Sequence, residues 1–522
     1  MRARKAGKFS LPAFLFPEIR AGRLFAAAVS SEQTVWIRQQ LIAWLHMEMR
    51  GKGMAKEKKA KTGRHFKTPT ELFFEALGNS IKEIGTTFVH GDWKSKLSYV
   101  IFGFGPLMRG QIAKGLAFLA SEILFFVYMI TFGGKYFSKF STLGTIATQK
   151  IKRKTVYGDN SFLILLFGIL TIVIIAAFIL VWVMNIHENH VEEERLKKGK
   201  SLPTNRQFLA SLLDSNFDKT LLALPCLGIF VFTVLPIIFM ICVAFTNYDA
   251  NHQSPTNLFT WVGLENFRNL FSFGTNGFGS TFVTVLIWTL TWAFFATFID
   301  YFLGLAVAML INKKGIRFKK LWRTILVLTI AVPQFVSLLY IMKMFANDGI
   351  VNAYLMKWGW ISSPIPFWTN PTLAKITIIV VNIWIGIPYL MLIATGLLMN
   401  IPEDLYESAR IDGANSFQMF WSITLPYMLF VTGPFLLTQF TGNLNNFNVI
   451  YLLTQGKPQS MQLTGNAGYT DLLVTWLYKM TVTDTNYKMA AVIGIMVFIV
   501  TAVVSLVVYN MLPSVRDEEG FQ

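Results

Sequence analysis

Apolar residues in this chain gather into long continuous runs. Runs of about twenty recur near 112–132, 162–186, 220–245, 283–311, 321–345, 373–398, 426–445 and 490–512. About twenty helical residues are what ~30 Å of hydrocarbon requires. The runs are unbroken and lack a period of two, which predicts helices and argues against a barrel. The expected fold is therefore an all-α polytopic membrane protein with eight spans. A further stretch, Leu97–Leu107, is too short to cross and is interrupted by Gly103 and Gly105–Pro106. It is expected to be interfacial or re-entrant.

The polar positions are as patterned as the apolar ones. Between runs six and seven lies IPEDLYESARIDGANSFQMFWSITLP, residues 401–426. Its acids Glu403, Asp404, Glu407 and Asp412, with Arg410, cannot rest in hydrocarbon. Pro402, Glu403 and Asp404 suit a helix start, and Gly413 suits its end. A helix, a glycine turn and a second helix stopping at Pro426 are predicted. So structured a loop is expected to dock a partner.

Composition agrees with the membrane assignment. The chain is 53% hydrophobic with mean hydropathy +0.47, and 15% charged, against about 25% in soluble domains. Its net charge of +18 is read through the distribution of Lys and Arg, which favours cytoplasmic loops. Residues 54–96 and the link NKKGIRFKKLWR are basic, whereas 246–282 and 346–372 hold only Arg268 and Lys357. Both termini and the 401–426 loop are thus expected in the cytoplasm. The link 133–161 runs against the rule, since it is outside on this count yet carries Lys135, Lys139, Lys150, Lys152, Arg153 and Lys154. Nucleic-acid binding is not indicated, because no basic patch is interleaved with stacking aromatics.

At the N-terminus, residues 11–29 are interrupted by Glu18, Arg20 and Arg23, so they form neither a signal core nor a span. Residues 1–53 are read as a non-native or disordered extension. Met54 opens a lysine-rich start, and Arg50-Gly51-Lys52-Gly53 before it can be encoded by codons resembling a ribosome-binding site. N-terminal sequencing of the cellular protein checks this. The expected organisation continues with a basic N-terminus (54–96), two accessory spans with the interfacial piece (97–219), a third span with a short external link (220–280), a core transmembrane domain (281–512) and a cytoplasmic tail (513–522).

Candidate chemistry is sparse. Cys226 and Cys242 lie ~24 Å apart along one predicted helix and cannot pair with each other. His187 and His190 precede Glu192, Glu193 and Glu194, as in a solvated helix end; no metal site is expected. Gly199-Lys200-Ser201 resembles the tail of a phosphate loop, but position 194 is Glu where that loop needs glycine. No catalytic residue and no cofactor is expected in this chain, so any ATP and magnesium must be bound by another polypeptide. Glu122 and Asp300 are acids inside spans, where hydrogen bonding to a neighbouring helix or exposure to a watery cavity is expected.

Run six carries Asn382, Gly386 and Tyr389 on one helical face. Its Gly386–Pro388 pair is expected to loosen the helix in mid-membrane. Run seven ends with Gln439, Thr441, Asn443, Asn445, Asn446 and Asn448. Neutral amides both donate and accept, which suits sugar hydroxyls.

The loop ESARIDGANSFQMFWSITLP resembles the coupling loop of ABC importer permeases. The matching positions are Glu407, Ala409, Gly413, Ala414, Ile423, Leu425 and Pro426, with Ser408 in place of the usual first alanine. VGLENF at 262–267, AVPQFVS at 331–337, NLNNF at 443–447, LLTQGKP at 452–458 and AGYTDLL at 467–473 extend the likeness to the larger permease subunit of maltose and maltodextrin importers. That resemblance covers roughly 97–512. It implies a type I ABC importer permease whose coupling helix sits in a cleft of an ATP-hydrolysing subunit. It places a sugar site on Asn382, Ile385, Gly386, Tyr389, Gln439, Gly442, Asn443 and Asn446. Gly442 replaces a stacking aromatic and Gln439 a small hydroxyl residue, so sugar length or linkage is expected to differ. The short 246–282 link implies a Gram-positive-type system.

The implied partners are a homologous second permease, two copies of an ABC ATPase, a lipid-anchored sugar-binding protein, an oligosaccharide and membrane lipid. A permease for another oligosaccharide is one alternative. An ion-coupled secondary sugar transporter is a rival of a different class, which would need a paired ionisable path and not the 401–426 loop. A membrane structural protein would tolerate scrambling of Asn443 and Asn446.

Overall fold

The structure is a computed structural model that describes residues 69–151, 154–274, 277–313 and 315–511. The expectations for 1–53, for residues 54–68 of the basic N-terminus and for the C-terminal tail fall outside these residues. Three short helices come first: α1 (Pro69–His90), α2 (Trp93–Leu97) and α3 (Phe104–Met108). The membrane-length helices that follow are α4 (Ile112–Phe137), α5 (Ser161–Lys197), α7 (Phe217–Val243) and α9 (Phe278–Asn312), with α6 (Asn205–Ser211) and α8 (Glu265–Leu270) between them. A two-stranded hairpin, β1 (Gln149–Ile151) with β2 (Lys154–Val156), joins α4 to α5.

The fifth crossing is not the continuous helix expected over 321–345. It is α10 (Lys319–Ala331) and α11 (Gln334–Met344), meeting at 90°. Pro333 lies at the bend, where its ring removes a donor and excludes a continuous α-helix through Val332. After α12 (Ile350–Lys357) come α13 (Pro371–Leu398), α14 (Glu403–Ile411), α15 (Ser416–Leu444), α16 (Phe447–Leu453), α17 (Leu473–Val482) and α18 (Tyr487–Met511). Among the described residues, seven helices are thus long and apolar enough to span a membrane, and the bent pair makes eight.

Two further expectations are corrected. Gly386 and Pro388 do not open α13, which stays helical from Pro371 to Leu398. Pro426 does not end the second helix of the polar loop. A π turn over Phe420–Thr424 precedes it, and the helix runs on into the membrane from Ser416. A π turn already departs from the regular ladder, so proline's missing N–H costs little there.

Residues 97–107 form a tucked turn between short helices. Phe102 N donates to Glu122 Oε2 (2.8 Å) and Gly103 N donates to Asn185 Oδ1 (3.0 Å). Glu122 therefore satisfies one backbone donor of this turn, where a bond to a neighbouring helix or a watery cavity was expected. Next to this turn, Arg109 is buried among Asp92 (2.9 Å), Glu192 (3.1 Å) and Glu193 (3.6 Å), and Lys114 pairs with Glu188 and Glu192. These pairs fasten α2 and α3 to the extension of α5.

The anomalous basic link is placed by its neighbours. Thr148 Oγ1 donates to Pro255 O, Phe259 N to Ser161 Oγ, and Trp261 Nε1 to Phe140 O. Residues 133–161 and the link after α7 thus share the end opposite α1–α3, as eight crossings require. Two apolar cores lie toward that end. One holds Leu165, Phe239, Phe282, Trp476 and Ile493, and the other holds Trp292, Leu338, Ile378 and Ile450. A third, with Tyr301, Leu305, Met391 and Met428, packs α9, α13 and α15 toward the end carrying α14. Gly304 permits this closeness, because a Cβ there would lie 2.6 Å from Leu390 Cβ.

Candidate functional site

The polar residues meet where α9, α13 and α15 pack together. α9 is interrupted by a π turn over Phe295–Ile299, immediately before Asp300. Such turns re-aim side chains. Here Thr297 Oγ1 accepts from Asn443 Nδ2 at 3.0 Å, and Asp300 Oδ2 accepts from Asn382 Nδ2 at 3.0 Å. Thr297 and Asp300 thereby bridge α15 and α13. Asn446 Nδ2 donates to Asn443 Oδ1 (3.3 Å), and Asn446 Oδ1 caps α16 through Val449 N. Trp292 Nε1 donates to the Asn443 carbonyl at 3.1 Å. This is a polar seam through otherwise apolar helices.

The eight positions expected to form a sugar site divide around the seam. Asn382 and Gly386 meet Asp300, and a Cβ on Gly386 would lie 2.2 Å from Asp300 Oδ2. Asn443 and Asn446 meet each other and Thr297. Gly442 faces open space, with nothing within 4 Å of a Cβ placed on it. Gln439, one turn earlier, is half-buried. Ile385 packs beside the core of Trp292, Ile378 and Val381. Tyr389 is exposed (48%) and stands apart from the buried pair. The α9 residues Thr297 and Trp292 were absent from the expected set. Their signal was a threonine three residues before an in-span aspartate, one helical turn away on the same face.

A cavity of about 820 Å³ lies elsewhere, between α9, α15 and α18, lined by residues such as Phe298, Leu429, Phe430, Leu436 and Phe440. Every residue lining it is apolar, so it offers no group to hold a sugar hydroxyl.

At the other end of α15, α14 projects with none of its residues buried. Leu405 (47%), Ile411 (86%), Phe417 (70%) and Trp421 (53%) expose apolar surface beside the charges, a mixture typical of docking surfaces. Gly413 takes φ +83°, and Ala414 N bonds back to Ala409 O at 2.9 Å. Asn415 then starts α15 with a reciprocal cap to Gln418. Glu407 is exposed, and Ala409, Ala414 and Ile423 are partly covered. Leu425 is buried in the third core, and Pro426 lines the apolar cavity. Tyr406 Oη and Thr424 Oγ1, 2.8 Å apart, fix α14 to the start of the crossing.

Residues 300–517 match the family of binding-protein-dependent transport system inner membrane components. A maltodextrin transport system permease protein of Streptococcus pneumoniae is 34% identical over 436 residues, which is 82% of this chain and 97% of that protein. The chain belongs to this family. A galactooligosaccharides transport system permease protein of Bacillus subtilis is also 34% identical, over 80% of this chain and 97% of that one. The maltose/maltodextrin transport system permease protein of Escherichia coli K12 is 34% identical over 50% of this chain and 51% of that protein. A bacterial ABC transporter involved in import of the acidic polysaccharide alginate aligns at TM-score 0.48 and 24% identity, covering 59% of this chain and 98% of that one. The matched relatives are transport permeases and not enzymes.

The metal and cysteine expectations are simply placed. Among the described residues no group of three or more His, Cys, Asp and Glu could hold a metal ion. His187 contacts Glu83 (2.7 Å) and His190 contacts Thr87 (3.0 Å). Cys226 and Cys242 are free thiols.

Proposed function

We propose that this permease carries a maltodextrin-class oligosaccharide, and that ATP-driven motion enters it through α14. The observation that carries this is the pairing of an exposed α14 with a half-buried amide seam at opposite ends of one helix, α15. In this reading α14 seats in an ATPase subunit, one copy here and one on a homologous second permease. An extracellular binding protein delivers the sugar to the space between the two permeases. Both termini and α14 lie in the cytoplasm of the cell membrane, as the basic links direct. Closure of the ATPase pair on ATP opens the path outward, and hydrolysis resets it. ATP and magnesium belong to the ATPase subunits.

The second reading, a galacto-oligosaccharide permease, is favoured by the equal identity to that relative. Uptake by the complete transporter in proteoliposomes decides. Labelled malto-oligosaccharides compete against galacto-oligosaccharides of equal length, and stronger inhibition by unlabelled maltodextrin is expected. Stronger inhibition by the galacto-series transfers the assignment. Uptake that survives removal of the ATPase subunits and follows an ion gradient would overturn the ATP-driven mechanism.

A further inference from the structure

We propose that Asp300 is itself a sugar-binding residue, with one carboxyl oxygen held by Asn382 and the other accepting a hydrogen bond from a hydroxyl of the bound oligosaccharide. The proposal rests on the sugar reading of the seam, and no relative's description assigns this residue.

Three observations carry it. Asp300 is 5% exposed at the middle of α9, and its Oδ2 is occupied by Asn382 Nδ2 at 3.0 Å. Its Oδ1 is buried and has no hydrogen-bond partner among the described residues. A buried acceptor left unsatisfied is costly, and a carboxyl placed only to join two helices would be expected to satisfy both oxygens. Finally, the carboxyl occupies the space over Gly386, beside the amide of Asn382. The π turn before it aims Thr297 and Asp300 at the two amide-bearing helices together.

A neutral sugar hydroxyl suits this acceptor chemically. It would donate to Oδ1 while still accepting from a neighbouring amide, and so satisfy an atom that no described residue matches. Asp300 would thus select one hydroxyl position of the sugar. It would also orient Asn382, whose Nδ2 is committed to Asp300 and whose Oδ1 is thereby left as an acceptor.

The test is a cycle between residue and ligand. Asp300→Leu keeps the branched shape without either oxygen, and Asp300→Ala is the second variant. Both are assayed in the complete transporter in proteoliposomes, using the transported oligosaccharide and its monodeoxy analogues. In the wild type one deoxy analogue should show a KM about tenfold or more above the parent, the scale of one hydrogen bond to an ionisable group. In Asp300→Leu the parent's KM should rise by a similar factor, and that analogue should now equal the parent within about twofold.

An equal rise for every analogue, no rise, or no sensitive hydroxyl in the wild type overturns the proposal. Asn443→Ala is run alongside. If it raises KM while Asp300→Leu fails the pattern, Asp300 is excluded and the sugar site stands. If neither variant moves KM, the sugar site falls as well. Should neither Asp300 variant assemble, Gly386→Ala displaces the carboxyl from a chain that retains it. It must erase the same hydroxyl preference, and its persistence would refute the proposal.

Discussion

Gly413 gives the sharpest test of how α14 is held. Its φ of +83° lies in the left-handed region, and no atom approaches within 4 Å of a Cβ placed on it. Space is therefore no obstacle, and the cost of a side chain comes from the backbone alone. For an ordinary L-residue that cost is about 1–2 kcal/mol, while Asn visits the region readily. Since 1.4 kcal/mol is tenfold in population, Gly413→Ala should lower the fraction of chains with α14 correctly turned by about five- to thirtyfold. Gly413→Asn should stay within about threefold of wild type, and Gly413→Val should be worst, because β-branched residues tolerate positive φ least. The assay is ATP-driven uptake in proteoliposomes, normalised to permease content, with affinity for the isolated ATPase subunit measured in parallel. If Asn is as damaging as Val, the conformational argument fails. The glycine would then be required because the partner's surface leaves no room for any side chain.

Other outcomes follow from particular contacts. Arg109→Ala leaves Glu192 and Glu193 buried without their guanidinium, and should cost about 3–5 kcal/mol locally; its unfolding midpoint in detergent should fall, and a midpoint equal to wild type would remove this network from the account. Gly304→Leu forces a side chain where even a Cβ would lie 2.6 Å from Leu390 Cβ and should destabilise by about 1–3 kcal/mol or more, seen as lower membrane yield and melting; an unchanged yield and midpoint would show that the helices can part. At the end opposite α14, partial burial alone would raise the Asp249 carboxyl, but hydrogen bonds from Lys488 and His252 hold it down to about 2. The sign follows from a depressed folded-state value: the stabilisation is complete above the ordinary value of 3.8 and is lost as pH falls through about 2. The advantage of wild type over Asp249→Asn in thermal unfolding should therefore be constant from pH 7 to about 5 and shrink below about 4; growth of the difference on acidification would contradict it.

The number of crossings was legible because apolar length is a local property. Each run carries its own signal, and even the basic 133–161 link, which argued against the count, sits beside Pro255 and Trp261 as eight crossings require. Proline was harder to read, because its effect depends on what precedes it. Pro333 bends a crossing by 90°, Pro388 sits inside an unbroken helix, and Pro426 follows a π turn that makes room for it. Those outcomes depend on which carbonyls and neighbours stand one turn away, which a run of letters does not display. The amide residues were legible one helix at a time. Their joining was not, because Thr297 and Asp300 lie on a third helix and act through contacts 82 and 146 residues distant in sequence.

The error at Pro426 alters the mechanical picture most. Had the helix ended there, the polar loop and the amides would belong to separate elements, with a hinge between them to absorb motion. Instead α15 runs from Ser416, three residues past Gly413, to Leu444, one residue past Asn443. Its 29 residues make a rod of about 43 Å at 1.5 Å per residue. Tyr406 and Thr424 tie α14 to that rod near its lower turns, and Thr432 ties the rod to Tyr301 of α9. In the proposed reading, a push on α14 would reach Asn443 and its partner Thr297, and through α9 Asp300 and Asn382. The π turn over Phe420–Thr424 interrupts this helix directly before Leu425, which is buried. In the proposed reading the seven positions of the loop motif therefore divide by place: Glu407, Ala409, Gly413 and Ala414 lie where a partner would meet the loop, while Ile423, Leu425 and Pro426 belong to the long helix itself.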